Sequence, residues 1–107
     1  MTPELKARFD EAIRSHKIVL FMKGNPLFPQ CGFSARAVQL LQPYGDLHTV
    51  DVLADPEVRQ GIKDYTNWPT IPQIFINGEF IGGSDILMEL AERGELSELV
   101  AGKKSEG

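Results

Sequence analysis

The first half of the chain alternates between helical and extended hydrophobic patterns. Apolar residues recur at helical spacing over residues 3–16, and residues 18–22 are a continuous apolar run typical of a buried strand. Helical spacing returns over residues 32–42, and residues 46–52 alternate polar and apolar positions as a strand does. A strand, a helix and a second strand in this order predict a βαβ unit with parallel strands and a right-handed crossover.

The second half of the chain predicts a third helix and then a β-hairpin. Residues 55–57 suit the cap and the first turn of a short helix. Residues 73–76 and 79–81 flank Asn77-Gly78, a pair that strongly favours a two-residue hairpin turn. Two more helical patterns follow toward the C-terminus. The predicted fold class is α/β: a four-stranded mixed sheet, made of a parallel βαβ unit and a C-terminal β-hairpin, flanked by helices.

Length and composition indicate one acidic domain. We expect a single domain over residues 1–107, with residues 102–107 as a flexible, solvated tail. The formal net charge of −4 argues against a nucleic-acid partner, and no apolar run is long enough to span a membrane. The N-terminus carries no basic-then-apolar signal pattern. The expected location is therefore the cytoplasm, or an organelle if the chain is a mature form.

The only cysteine in the sequence, Cys31, lies where a thiol becomes reactive. It falls between a Pro-rich loop and the start of the second predicted helix, where free N–H groups and the helix dipole favour thiolate over thiol. A thiolate is both a nucleophile and a metal ligand. The alternative is a buried structural cysteine, which seldom lies at such a junction. One cysteine excludes an internal disulfide and fits a reducing compartment.

Four short motifs carry a resemblance to a known family. They are Lys23-Gly24, Cys31-Gly32-Phe33-Ser34, Trp68-Pro69-Thr70-Ile71-Pro72-Gln73 and Gly82-Gly83-Ser84-Asp85. Together, and at family-like spacing, they make the chain resemble a CGFS-type monothiol glutaredoxin over nearly its whole length. The resemblance implies a thioredoxin fold, glutathione as ligand, and the assembly or transfer of iron–sulfur clusters. It also implies partnership with BolA-like proteins and with iron–sulfur acceptor proteins.

The number of available thiolates agrees with this resemblance. A dithiol oxidoreductase needs a second thiolate three residues after the first, where this chain has Ser34. Any thiol–disulfide cycle must therefore use an external thiol such as glutathione. A 2Fe–2S cluster generally requires four thiolates or their equivalents, and neither His16 nor His48 has ligand spacing relative to Cys31. Two chains and two glutathione thiols supply four thiolates, which predicts a cluster-bridged homodimer and a monomer without the cluster.

Besides Cys31, basic side chains and one turn are candidates for glutathione recognition. Lys23 follows the first strand, at the edge where open α/β sheets bind ligands, and suits a carboxylate or the thiolate. Arg59 resembles the family's arginine that pairs with the glycyl carboxylate. Each would otherwise be a solvated surface charge. The Ile71–Pro72 bond is expected to be cis, and in a thioredoxin-like fold the Ile71 backbone would pair with glutathione like an added strand.

The last motif is expected to hold the γ-glutamyl end of the ligand. Gly83 permits close approach, and the helix after Ser84 and Asp85 offers free N–H groups to a carboxylate. The Asp85 carboxylate is expected to take the ligand's ammonium, to cap the helix, or both, whereas Trp68 and Phe33 are expected mainly to pack. The predicted site comprises Cys31 as catalytic residue and metal ligand, then Lys23, Cys31, Arg59, Ile71, Ser84 and Asp85 for glutathione, with Phe33, Thr70, Pro72 and Gly83 in support.

The sequence leaves three functional hypotheses. The leading one is a glutathione-dependent iron–sulfur cluster carrier, favoured by a loop over residues 24–30 that is longer than a strand-to-helix connection needs. The alternative is a glutathione-disulfide oxidoreductase that deglutathionylates protein thiols, with at most weak activity because Ser34 cannot resolve a disulfide. The third is an interaction module with an incidental cysteine. The family often has cysteine at the position where this chain has Ser84. Because serine cannot form a disulfide, a disulfide between this position and Cys31 is impossible here.

Overall fold

The structure is a computed structural model that describes residues 1–102. In chain order its elements are α1 (Pro3–Ser15), β1 (Ile18–Met22), α2 (Gly32–Leu41), β2 (Leu47–Asp51), α3 (Pro56–Thr66), β3 (Gln73–Ile76), β4 (Glu79–Gly82), α4 (Ser84–Glu92) and α5 (Leu96–Val100). Every predicted strand and helix is present. Of the predicted tail, all but Gly102 lies outside the described residues.

The helix starts follow the capping residues. The Thr2 hydroxyl accepts a hydrogen bond from the Leu5 N–H at 3.1 Å, and Pro3 occupies the first position of α1. The Asp55 carboxylate accepts from the Glu57 N–H at 2.9 Å at the start of α3. α2 ends at Leu41, one residue before the predicted end, and the chain continues into a 3₁₀ turn, Gln42–Tyr44, before Gly45 turns it at positive φ.

The four strands form one mixed sheet, as predicted, and the structure gives their order as β2-β1-β3-β4. β1 pairs in parallel with β2, with Ile18 opposite Leu47, and antiparallel with β3, with Ile18 opposite Ile76. β3 and β4 form the hairpin around Asn77 and Gly78, both at positive φ. The carboxyl end of β1 therefore lies in the middle of the sheet, between the carboxyl end of β2 and the start of β3.

Two apolar cores cover the two faces of β1, whose five residues are all buried. On one face Ile18, Leu20 and Met22 pack with residues of α2, α4 and α5. On the other, Val19 and Phe21 pack with residues of α1 and α3. A strand buried on both faces reads as a continuous apolar run, which explains the pattern of residues 18–22. Helices on both faces therefore hold the centre of the sheet rigidly.

A polar contact joins α1 to α3 beside the second core. The Tyr65 hydroxyl donates to the Asp10 carboxylate at 2.5 Å, and the Phe9 and Tyr65 rings meet edge to face with centroids 5.5 Å apart. Partial burial, followed by the hydrogen bond to Asp10, raises the pKa of Tyr65 to about 12. The phenol therefore stays protonated, and keeps donating, throughout the physiological range.

The connection from β1 to α2 folds back on itself. The Gln30 N–H donates to the Lys23 carbonyl at 2.8 Å, and Gly24 and Pro29 form an isolated β-bridge. The Asp51 carboxylate accepts from the Gly24 N–H at 2.9 Å and ties the loop to the end of β2. Gly24 has φ +90°, and a Cβ there would lie 2.5 Å from the Phe28 carbonyl oxygen. The loop thus depends on glycine for both backbone conformation and space.

This geometry predicts that Gly24→Ala destabilises the protein more than Gly78→Ala. Both positions have positive φ, which costs about 1–2 kcal/mol for alanine, but open space surrounds Gly78. At Gly24 the contact with Phe28 adds about 1–3 kcal/mol of overpacking. Urea denaturation of the two variants measures the difference, and equal losses would contradict the proposed crowding at Gly24.

Candidate functional site

Cys31 is the N-cap residue of α2. Its backbone is extended, with φ −158° and ψ 140°, and its carbonyl accepts the Ala35 N–H at 3.0 Å. The cysteine is half-buried and its side chain makes no capping hydrogen bond. The buried strand β1 and the folded-back loop therefore deliver one thiol to the start of a ten-residue helix.

The surroundings of Cys31 favour its thiolate. Partial burial raises the pKa of the thiol, but the backbone N–H groups of Ser34 and Phe33, the Ser34 hydroxyl and the charge of Lys23 outweigh this effect. The net result is a pKa below the ordinary value of a cysteine. This agrees with the predicted effect of the helix start, and the thiolate is the form that attacks disulfides or ligates metals.

Ser34 lies in the position that a resolving cysteine would occupy, and it is fully buried. Its hydroxyl oxygen accepts the Lys23 N–H at 3.1 Å. It therefore connects the end of β1 to the first turn of α2. A hydroxyl at this position cannot form a disulfide with Cys31, but it fixes the backbone on both sides of the thiol.

A cavity of 480 Å³ opens beside the sulfur, and we refer to it as the Cys31 cavity. It lies where β1 ends, α2 and α4 begin, and the chain turns into β3. Its lining residues are Lys23, Cys31, Phe33, Arg59, Lys63, Pro69, Thr70, Ile71, Pro72, Ser84 and Asp85. The structure therefore brings together every predicted site residue except Gly83, which lies just behind the wall.

The cavity wall carries more positive than negative charge. Lys23 comes from the end of β1, and Arg59 and Lys63 come from successive turns of α3. Asp85 is the one acidic side chain among the lining residues of the described chain. The site predicted from the sequence did not include Lys63, although its spacing of four residues from Arg59 places both on one helix face. The site is therefore suited to a ligand of net negative charge that also carries one positively charged group.

The turn before β3 forms another wall. The Ile71–Pro72 peptide bond is cis, as predicted. The Ile71 side chain is buried in the core shared with α1 and α3, while Pro69 and Thr70 also line the cavity. Pro69 is the second lining residue that the predicted site did not include. The turn thus shares the cavity with Cys31, as the expected arrangement requires.

The start of α4 differs from expectation in one respect. Gly83 is its N-cap residue, and Asp85 makes no side-chain capping bond, so the predicted capping role of Asp85 is wrong. A Cβ at Gly83 would lie 3.2 Å from the Trp68 Nε1 and 3.4 Å from the Pro72 carbonyl oxygen. A larger residue would therefore push the helix start away from the cis-proline turn.

The two aromatic residues of the motifs behave differently. Trp68 packs edge to face on Phe80 with ring centroids 5.6 Å apart, as expected. Phe33 instead is 59% exposed and lines the Cys31 cavity, so the expectation that it mainly packs is wrong. Phe33 is the second residue of α2, two residues after the N-cap Cys31, and its ring lies at the cavity rather than in the core.

A second cavity, of 530 Å³, lies between α1 and β2. It is mostly apolar and includes His16 and His48, whose rings stack with centroids 4.4 Å apart. Burial lowers the pKa of His48, and His16 lowers it further. Within residues 1–102 no group of three or more His, Cys, Asp or Glu side chains is arranged to hold a metal ion, and no helix is long and apolar enough to cross a membrane.

Two relatives with curated names resemble the chain over most of its length. A monothiol glutaredoxin of Synechocystis, ycf64-like, is 57% identical over 94% of this chain and 94% of its own. The mitochondrial monothiol glutaredoxin-5 of Saccharomyces cerevisiae is 45% identical over 94% of this chain and 69% of its own.

Two solved structures share the fold. Reduced poplar apo GrxS14 matches with a TM-score of 0.83 and 49% identity, covering 94% of each chain. A buckwheat glutaredoxin–glutathione complex matches with a TM-score of 0.79 and 25% identity, covering 95% of this chain and 96% of that one. These neighbours have the thioredoxin fold, which confirms the predicted fold class.

The glutaredoxin family profile matches residues 18–81, from the first residue of β1 into β4. This segment contains Cys31, Lys23, Arg59 and the cis-proline turn. With one cysteine, a serine in the resolving position and relatives named as monothiol proteins, the chain belongs to the glutaredoxin family, as a monothiol glutaredoxin.

Proposed function

We propose that this chain binds glutathione in the Cys31 cavity and, as a dimer, carries a labile 2Fe–2S cluster to acceptor proteins. The observation that carries the proposal is a single thiol of lowered pKa that opens onto a positively charged cavity. A site with one sulfur and surplus positive charge suits an anionic thiol as its second component.

The charges of glutathione match those of the cavity. The tripeptide has two carboxylates and one ammonium, so its net charge is opposite to the surplus charge of Lys23, Arg59 and Lys63 over Asp85. In the proposed pose the guanidinium of Arg59 pairs with the glycyl carboxylate. Lys63 lies one turn further along the same helix face and supports the same carboxylate. Lys23 is suited to a carboxylate or to the Cys31 thiolate.

The backbone supplies the remaining partners for glutathione. The Ile71 backbone, next to the cis-proline turn, would pair with the cysteinyl unit as an added strand does. The N–H groups at the start of α4, around Ser84, would hold the γ-glutamyl carboxylate, and Asp85 would take the ammonium. Phe33, Thr70 and Pro72 line the same cavity, and Gly83 keeps the helix close. The buckwheat glutaredoxin that shares this fold forms a complex with glutathione, which supports the assignment.

Ligand number supports a shared cluster. One chain offers one thiolate, and its described residues contain no group of three metal-binding side chains. A 2Fe–2S cluster requires about four thiolates. Cys31 from each of two chains and the thiols of two glutathiones complete the set, and the cluster is cargo rather than a fixed part of either chain. Because half of the ligands are exchangeable, the cluster would leave readily.

The proposed partners and location follow from the family. A carrier requires iron–sulfur acceptor proteins, and a BolA-like protein is the other partner that the family implies. Relatives of this chain are named as mitochondrial or chloroplastic proteins, so we propose either the cytoplasm or the interior of an organelle as its location.

The lowered pKa of Cys31 also favours a second candidate, a glutathione-disulfide oxidoreductase. In that reaction the thiolate attacks the glutathione sulfur of a glutathionylated protein and expels the protein thiolate, leaving Cys31 in a mixed disulfide. A second glutathione thiolate then attacks this disulfide, releases oxidised glutathione and regenerates Cys31. Ser34 takes no part in this exchange, so the incoming glutathione is the reductant: its sulfur is oxidised to the disulfide as the protein sulfur is reduced to the thiolate.

Removing a cavity cation is expected to weaken glutathione binding. Arg59→Ala and Lys23→Ala each lose a charge-assisted hydrogen bond, worth about 1.5–3 kcal/mol, or roughly ten- to a hundredfold in affinity. Isothermal titration calorimetry with reduced glutathione measures the change. Arg14→Ala is the matched control because Arg14 pairs with Glu11 on α1, outside the cavity. Unchanged affinity in both cavity variants would reject their assignment.

The thiolate of Cys31 is expected to persist at lower pH than that of a free cysteine. Because the pKa is lowered, the rate of alkylation by iodoacetamide should reach half its plateau below about pH 8.5 and fall as the pH drops through that midpoint. Lys23→Ala and Ser34→Ala should move the midpoint upward, since each removes a group that lowers the pKa. A wild-type midpoint at or above the free-cysteine value would refute the favoured thiolate.

Anaerobic reconstitution with iron, sulfide and glutathione is expected to yield a coloured dimer. Size exclusion with absorbance, iron and glutathione measured across the peak should give one 2Fe–2S cluster and two glutathiones per dimer. Removing glutathione should bleach the protein and return it to monomer, by mass action on an exchangeable ligand.

Cys31→Ser is the control for this experiment and should neither colour nor dimerise. A coloured monomer, or a cluster that forms fully without an external thiol, would falsify the ligand scheme. Rapid turnover in a glutathione-coupled disulfide assay, lost in Cys31→Ser, would place the oxidoreductase above the carrier.

A further inference from the structure

Gln73, the first residue of β3, is a fully buried polar side chain in the apolar interior. It follows the cis Ile71–Pro72 bond directly but does not line the Cys31 cavity. Burying an amide costs free energy unless its donors and acceptor are paired. The pairing of this amide therefore shows what it holds in place.

The Gln73 amide is paired on both sides. Its Nε2 donates to the Trp68 carbonyl at 3.0 Å and to the Thr70 carbonyl at 3.1 Å, which uses both of its hydrogens. Its Oε1 lies 2.8 Å from the Thr66 hydroxyl, whose single hydrogen is shared between this oxygen and the Ile62 carbonyl at 3.0 Å. The two carbonyls fix the orientation of the amide, because only the nitrogen end can donate to them.

These bonds join two walls of the Cys31 cavity. Thr66 is the last residue of α3, the helix that presents Arg59 and Lys63 to the cavity. Trp68 and Thr70 belong to the turn that leads to Ile71. The Trp68 N–H also donates to the Lys63 carbonyl at 3.2 Å, so the turn is held against the helix from both sides. One side-chain amide thus couples the position of the cationic helix face to that of the cis-proline turn.

We infer that Gln73 is a positioning residue for glutathione binding, which holds the turn of residues 68–71 against α3 so that Ile71 and Arg59 meet the same ligand. The inference rests on the proposed function and deepens it. Gln73 touches no ligand in this arrangement. It acts through the Trp68 and Thr70 carbonyls, whose orientation sets the backbone that follows.

The chemistry of the position separates glutamine from its nearest substitutes. Gln73→Met keeps length and burial but leaves two carbonyls without a donor. Gln73→Glu keeps the shape but, when ionised, turns a carboxylate oxygen toward those carbonyls. When protonated, the same side chain donates one hydrogen bond and restores part of the contact. Burial favours the protonated form of such a carboxyl group.

Calorimetry with reduced glutathione tests the inference. Gln73→Met should bind about five- to tenfold more weakly than the wild type, because without these two hydrogen bonds only about a tenth to a fifth of the molecules would hold the turn in its binding position. Gln73→Glu should bind more than about tenfold more weakly at pH 8 and recover part of this loss by pH 5.5. The ratio to the wild type is taken at each pH, because it cancels the titration of glutathione and of Cys31, which are the same in both proteins. If Gln73→Glu acted only on global stability, its affinity corrected for the folded fraction would match that of the wild type at both pH values.

Asn77→Asp is the matched control at the other end of β3. The Asn77 Nδ2 also donates to two backbone carbonyls, of Leu99 at 2.9 Å and Val100 at 3.3 Å, and these hold α5 rather than the cavity. The same change from amide to carboxylate should therefore leave glutathione affinity within about twofold of the wild type. If this control loses as much affinity as Gln73→Glu, the effect is general and the inference fails.

Amide hydrogen exchange without glutathione separates the two proposals. In Gln73→Met the amide of Trp68, which donates to the Lys63 carbonyl, should exchange about tenfold faster, while those of β1 change less. Wild-type affinity in both Gln73 variants, or unchanged exchange in the turn, would overturn the positioning role. If Gln73→Glu does not fold, the affinity and the exchange rates of Gln73→Met decide the test. A wild type that binds no glutathione would reject the proposed function, and the exchange rates would still decide whether Gln73 holds the turn.

Discussion

The burial of β1 between two apolar cores is the constraint on which the rest of the structure depends. All five of its residues are enclosed, by α2, α4 and α5 on one side and by α1 and α3 on the other. Because ligands of open α/β sheets bind beyond the carboxyl ends of central strands, the end of β1 is where chemistry is expected. The folded-back loop then returns the chain to this point and starts α2 at Cys31. The position of the sulfur is therefore set by packing far from it.

Two opposing effects set the state of that sulfur. Burial alone would keep Cys31 protonated, whereas the N–H groups of the helix start, the Ser34 hydroxyl and Lys23 stabilise the anion. The balance requires a thiol that is only half-buried, since deeper burial would strengthen the opposing effect. The same exposure leaves the sulfur open to a ligand or a partner. Reactivity and accessibility thus have one structural origin, the placement of Cys31 as N-cap rather than inside the helix.

Local chemistry made most of the fold predictable. Asn77-Gly78, the Asp55-Pro56 start and the apolar run of β1 each act within a few residues, and each predicted its element correctly. The family motifs likewise indicated nine of the eleven lining residues of the cavity. What the sequence did not reveal depends on contacts between distant segments. The exposure of Phe33, the capping of α4 by Gly83 and the pairing of Gln73 are set by how three elements meet. The hydrophobic periodicity of a single helix or strand carries no information about these contacts between elements.

The single sulfur makes this site dependent on what binds it. With Cys31 ionised, the cavity walls still hold one surplus positive charge from Lys23, Arg59 and Lys63. Like charges brought together cost free energy, and an anionic ligand that binds only the folded chain lowers that cost and stabilises the fold by mass action. The same ligand brings the second sulfur that the sequence lacks. Under the proposed function, glutathione therefore completes both the electrostatics and the chemistry of the site. A resident second cysteine would supply the sulfur but not the carboxylates for Arg59 and Lys63, and it would make cluster release slower because it could not dissociate.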